Sequence, residues 1–225
     1  RVRDMPFLMG QHVYMGSEGL SADDEIAPAI KHGTLSIGFI GLAETLTVLC
    51  GGCRSDSVEA GPASCSGIDS GSGIAAGDEA GALGYEIVKY MRKRIDEYAE
   101  AHDLNFTLLA TPAEGLSGRF VAIDRERFGT IRGVTDRAYY TNSFHVPVGA
   151  HMSIYDKLAR EGKYHSLTNA GHISYVELAS PPLHNVEAVE SIVRAMVRAD
   201  LGYGGINFPI DECLACGYSG VIESV

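Results

Sequence analysis

Short apolar runs alternate with longer runs of helical periodicity along most of this chain, and that alternation restricts the fold more than any single motif. HGTLSIGFIGLAETLTVLC predicts a buried strand over Thr34 to Ile40, then a helix over Leu42 to Leu49. Gly38 and Gly41 there permit a close backbone approach. YEIVKYMRKRIDEYAEAH sets Ile87, Tyr90, Met91, Ile95 and Tyr98 at the spacing of one helical face. NFTLLATP, Asn105 to Pro112, predicts a strand that stops at a turn, and Glu114 to Phe128 predicts a helix. Ala138 to Val148 reads as a strand-like edge segment broken by Pro147, followed by a helix over Met152 to Glu161. His172 to Ala179 reads as a strand. His184 to Asp200 is a helix with Val186, Val189, Ile192, Val193, Met196 and Val197 on one side, and YGGINFPI is a last strand. A β-α-β-α order of this kind implies an α/β fold, a mostly parallel sheet or barrel with helices outside, and sites where strands end and loops begin.

One stretch breaks the rhythm. Cys50 to Ala82 is Gly-, Ser- and Ala-rich with almost no large apolar residue, so it buries little and reads as a flexible surface insertion. Hydrophobic residues are 45% and charged residues 21%, so a core is affordable around it. The formal net charge of −11 and the lack of a dense Lys/Arg run argue against a nucleic-acid surface. No run of about 18 apolar residues suggests a membrane span. The 5 cysteines, an odd number with two C-x-x-C pairs, do not make a secreted disulfide framework and point to a reducing cytoplasm.

The chemistry-bearing candidates are few. Glu114 follows the Thr111-Pro112 turn at the start of a helix, where an acid is either an ordinary first-turn residue or a functional carboxylate. YYTNSFHVP gathers Thr141, Asn142, Ser143 and His145; such side chains either bind phosphate and sugar hydroxyls or satisfy a local turn. His172 opens an apolar strand and reads as a satisfied core histidine. There is no H-E-x-x-H, G-x-S-x-G or P-loop pattern. Cys50, Cys53 and Cys65 are either a metal or redox set or incidental thiols, whereas Cys213 and Cys216, followed by Gly217, form the kind of knuckle that gives two thiolates to zinc. Zinc needs four ligands, only five residues follow Gly220, and the chain opens at Arg1 without Met, so a segment of a longer protein is expected.

HGTLSIGFIGLAE, LLATPAEGLSGRF, YYTNSFHVPV, GHISYVEL and GINFPIDECLACGYSG, in that order, resemble the anaerobic (class III) ribonucleoside-triphosphate reductases, which are glycyl-radical enzymes. The resemblance covers His32 to Cys50 and Leu83 to Ile222, and more loosely Arg1 to Ile30. It implies part of a ten-stranded α/β barrel over residues 1–208, with 50–82 as an insertion, and the start of a zinc-binding domain over 209–225. It implies reduction of ribonucleoside triphosphates to 2′-deoxyribonucleoside triphosphates by glycyl and thiyl radical chemistry. Glu114 falls where some members carry a carboxylate that acts on the substrate 3′-OH, and Thr111, Asn142, Ser143 and His145 become the candidate substrate-binding residues. Cys213 and Cys216 become half of a Cys₄ zinc site.

The resemblance further implies an allosteric ATP/dNTP site, the radical glycine and the radical cysteine outside this segment, a radical-SAM activating enzyme and a homodimer. Some members carry a tyrosine where Leu109 stands, so the reductant, formate or a thiol protein, stays open. The segment alone is expected to be inactive. The alternatives are a non-catalytic nucleotide-binding protein of this fold and another glycyl-radical enzyme; the knuckle after GINFPID speaks against the latter.

Overall fold

The computed structural model describes residues 10–13, 16–25, 29, 33–50, 78–148, 150–178, 181–182, 185–208, 211–212 and 216–220. The elements run β1 (Thr34–Phe39), α1 (Leu42–Leu49), α2 (Asp78–His102), β2 (Asn105–Ala110), α3 (Gly115–Phe128), α4 (Ile154–Gly162), β3 (Ser174–Glu177), α5 (Val186–Arg198), β4 (Gly204–Asn207), β5 (Asp211–Glu212) and β6 (Ser219–Gly220). β1 pairs with β2 and β3 with β4, both in parallel, each pair spanned by a helical crossover as parallel neighbours require. Gly171 makes a parallel bridge to Leu109, and Ala110 N–H donates to Gly171 O at 3.0 Å, which brings the approach to β3 alongside β2. β5 and β6 form an antiparallel hairpin. No closed barrel is formed among the described residues. None of their helices is long and apolar enough to cross a membrane.

α2 lies over β2. Val88 and Ile95, one helical face apart by seven residues, join Leu108, Ala110, Leu42, Leu46, Phe144 and Tyr164 in the main core, and Leu108 and Val88 are fully buried. Ile87 and Met91 pack on this cluster, but Tyr90 points away and is exposed. A second core joins Leu158 of α4, Val176 of β3 and Ile192 and Ala195 of α5. On α5 the valines at 186, 193 and 197 are exposed, so the buried side is centred on Ile192 rather than on them. The caps are ordinary: Ser153 Oγ accepts from Asp156 N at 3.1 Å and Asn185 Oδ1 from Ala188 N at 3.0 Å.

Three expectations are corrected. β1 is not buried: Leu35 and Ile37 pair with Phe106 and Leu108 on the face that α2 uses, yet stay 58% and 39% exposed because the helix covers β2 and not its neighbour. The expected insertion over 50–82 ends early, because Asp78 to Ala82 already belong to α2 and Ala80 is buried. Residues 51–77 lie outside the described residues. Ala138 to Val148 is not a strand. It is an edge segment with a single antiparallel bridge, Ile40 to Asn142; Ser143 has φ 37, and side chains, Glu44 and Glu161, take the N–H groups of Thr141 and Val146 in place of a continuous ladder.

His165 sits between the two cores at 3% exposure. Its Nδ1 accepts from Gly202 N at 3.0 Å and its Nε2 donates to Ser174 Oγ at 3.0 Å, which fixes a neutral tautomer and ties β3 to the α5–β4 connection. Burial, then the neighbouring His172 and His145, push its pKa down from 6.5 to about 4. The unfolded chain therefore binds a proton at higher pH than the folded one, so stability is complete above pH 6.5 and is lost as pH falls towards 4. Denaturant titrations across that window should lose roughly 3 kcal/mol through this group, and His165→Gln should flatten the slope.

Candidate active site

β2 delivers Thr111, Pro112 and Ala113 to the start of α3. Glu114 stands immediately before the helix rather than in it, with φ 44 and ψ −121. A non-glycine residue there costs on the order of 1–3 kcal/mol and is held only where its surroundings insist. Its carbonyl accepts from Ser117 Oγ at 2.6 Å and Ser117 N at 3.2 Å. The peptide before it is fixed too, since Ala113 N–H donates to Asn142 Oδ1 at 3.1 Å.

The segment that supplies Asn142 is pinned to the β1–α1 turn. Gly41 N donates to Thr141 O at 2.7 Å and Leu42 N to Ser143 O at 3.3 Å. Glu44, in the first turn of α1, is 3% exposed. Its Oε1 accepts from Thr141 N at 3.1 Å and Thr141 Oγ1 at 2.8 Å, with Arg137 Nη1 at 3.6 Å, and its Oε2 has no partner among the described residues. Gly41 serves this junction by its φ of 73, which a side chain would resist.

His145 closes a turn, its N–H donating to Asn142 O at 3.0 Å. Its Nε2 lies 2.7 Å from Ile173 O, and its Nδ1 lies 3.1 Å from Asn142 O and 3.4 Å from Ser143 Oγ, so both ring nitrogens are engaged by the protein. Val146 N and Lys157 Nζ both donate to Oε1 of the fully buried Glu161, at 3.0 and 2.9 Å, and Lys157 Nζ also donates to Tyr175 O at 2.7 Å.

These parts enclose a cavity of about 360 Å³ whose wall includes Glu114, Ser117, Asn142, His145, Lys157 and Glu177. Four of the residues singled out in the sequence thus line one cavity, Glu114 from the β2–α3 connection and Thr141, Asn142 and His145 from the segment opposite it, with the Thr141 hydroxyl already bonded to Glu44. Two others do not join them. Ser143 is fully buried beneath the segment. Thr111 lines a neighbouring cavity of about 730 Å³, where its Oγ1 is buried without a partner among the described residues and occupies the space that a Cβ on Gly38 would need. Tyr140 stands between the two cavities and donates to Asp124 Oδ2 at 2.8 Å; burial, then this bond, raises its pKa to about 12, so the hydroxyl keeps its proton.

Sequence reasoning missed Lys157, Glu177, Ser117 and Glu44. The i, i+4 pair Lys157–Glu161 was visible in the helix pattern but reads as a surface pair, and nothing in the spacing says that Glu161 is buried. For the metal, Cys216 is exposed in the turn between β5 and β6, and Cys213 lies outside the described residues. So do Cys53 and Cys65. No group of three or more His, Cys, Asp or Glu able to hold a metal occurs among the described residues.

Removing the Asn142 side chain orphans the N–H of Ala113, a residue 5% exposed. Asn142→Ala should therefore lower unfolding free energy by about 1–3 kcal/mol, read by chemical denaturation.

Residues 1–224 match the family described as anaerobic ribonucleoside-triphosphate reductase. The reductase of that name from Escherichia coli K12 is 35% identical over 206 residues, which is 91% of this chain and 26% of the relative. That of Enterobacteria phage T4 is 33% identical over 200 residues, 88% of this chain and 28% of the relative. The chain thus spans about a quarter of the length of the curated relatives it matches. Among solved structures, the anaerobic ribonucleotide reductase from Thermotoga maritima in complex with dATP and CTP superposes with a TM-score of 0.62 at 18% identity, covering 97% of this chain and 32% of that one. The same enzyme with dATP in the specificity site gives a TM-score of 0.64 at 16% identity, with 97% and 32% covered. At that identity the likeness establishes the fold.

Proposed function

This chain belongs to the anaerobic ribonucleoside-triphosphate reductase family, and on that premise we propose that the protein carrying it converts ribonucleoside triphosphates to 2′-deoxyribonucleoside triphosphates in the cytoplasm. The observation that carries the reading is the convergence of Glu114, Asn142 and His145 on one cavity, large enough for a ribose and part of its base. In this reading β1–β2 and β3–β4 are arcs of a ten-stranded barrel.

Glu114 acts on the substrate. Its carboxylate accepts the hydrogen bond of the ribose 3′-OH and takes that proton as charge develops, the usual contribution of a placed general base. Asn142 spends Oδ1 on Ala113 N, so its amide NH₂ is what remains for a sugar hydroxyl. His145 spends Nε2 on Ile173 O and presents a fixed ring edge. A glycyl radical, with the cysteine it oxidises, supplies hydrogen-atom abstraction from the sugar; a radical-SAM enzyme installs the radical, and formate or a thiol protein supplies the electrons. Control by ATP or dNTP and a homodimeric state complete the proposal.

Cys213 and Cys216 fit half of a tetrahedral zinc site. The C-x-x-C spacing is that of a zinc knuckle, and Cys216 is exposed between the paired strands β5 and β6. Such a zinc supplies structural cross-linking and no redox chemistry.

Two measurements test these assignments in the full-length protein. Glu114→Gln should lower kcat by about 10²–10⁴-fold while nucleotide Kd moves little; unchanged turnover removes Glu114 from the mechanism. Elemental analysis after anaerobic purification should find about one zinc per chain, lost in Cys213→Ser/Cys216→Ser; metal-free, folded wild-type protein defeats the zinc assignment.

A further inference from the structure

Glu114 sits in a backbone conformation that it does not favour, and two of the residues that impose it, Ser117 and Glu44, have no part in the proposed binding of substrate. On its C-terminal side Leu116 N donates to Ala113 O at 2.9 Å across Glu114, and Ser117, 6% exposed, donates to Glu114 O through its N–H at 3.2 Å and through its Oγ at 2.6 Å, the one side-chain bond among them. On its N-terminal side the restraint is relayed. Ala113 N–H is held by Asn142 Oδ1, Asn142 is placed by Thr141, and Thr141 is held through both its N–H and its hydroxyl by Glu44 Oε1. Glu44 is a carboxylate buried to 3% exposure with its second oxygen unpaired among the described residues. Burying such a group is costly unless what it organises repays the cost.

We propose that Glu44 and Ser117 are positioning residues that hold the positive-φ backbone of Glu114, and with it the direction in which the Glu114 carboxylate enters the cavity. The inference rests on the reading that Glu114 acts on the substrate. Its physical content is that a relaxed Glu114 returns to negative φ and swings its side chain off the reacting atoms. Because orientation and not binding is lost, the effect falls on kcat rather than on KM.

The test is a double-mutant cycle in the full-length protein under anaerobic turnover. Ser117→Ala should lower kcat by about ten- to a hundredfold, with KM changed less than about twofold. Ser117→Thr, which keeps the hydroxyl, should restore most of the loss. Glu44→Ala should behave like Ser117→Ala, and Glu44→Gln, which keeps an acceptor for Thr141, should restore turnover. Where Glu44→Ala does not yield folded protein, Thr141→Val reads the same link by deleting only the hydroxyl. In a Glu114→Gln background neither Ser117→Ala nor Thr141→Val should lower turnover further, because both act through that carboxylate. Equal losses in both backgrounds, or a rise in KM at constant kcat, overturn the positioning role while leaving Glu114 in the mechanism. A silent Glu114→Gln overturns both together.

Discussion

A single buried carboxylate organises the cavity side of this molecule. Glu44 projects from the first turn of α1 onto Thr141 and takes the N–H that the short backbone pairing of residues 141–143 with the β1–α1 turn leaves over. A strand there would have paired its N–H groups with a neighbour; here one side-chain oxygen takes both donors of Thr141. That choice frees the segment to turn sharply at Ser143 and to send Asn142 and His145 to the same side. Bonds to a carboxylate are each stronger than their neutral counterparts, and both converge on Thr141.

The sheet architecture was legible because it rests on local patterns. β2, α3, α4 and α5 form close to where the sequence puts them, whereas Gly38 makes room for the Thr111 side chain rather than a backbone, and Gly41 serves by its positive φ rather than by a close approach. What the pattern could not tell was which neighbour covers which face. Leu35 and Ile37 look like interior residues and are half exposed, because burial is decided by where α2 crosses, a property of residues some fifty positions away. Tyr90 fails for the same reason: helical spacing names a stripe, and the partner surface selects how much of it is used.

The cavity divides along similar lines. Glu114, Asn142 and His145 stood out as polar groups in apolar or aromatic surroundings, and they converge. Thr111 and Ser143 carried the same signal, but Thr111 faces the neighbouring cavity and Ser143 is fully buried beneath the segment. Lys157 and Glu177 carried no signal, because a lysine with a glutamate four positions on and an acid at a strand end are both ordinary on a surface. Only the burial of Glu161 behind α4 turns the former into a fixed wall group.

The Lys157 anchorage limits what a guest can gain from it. An ammonium has three N–H bonds, and here two are already spent, on Tyr175 O and on Glu161 Oε1. The third is left for whatever arrives, aimed by the other two. The group therefore serves less as a roving counter-ion than as a single fixed peg, with one hydrogen bond to offer in one place.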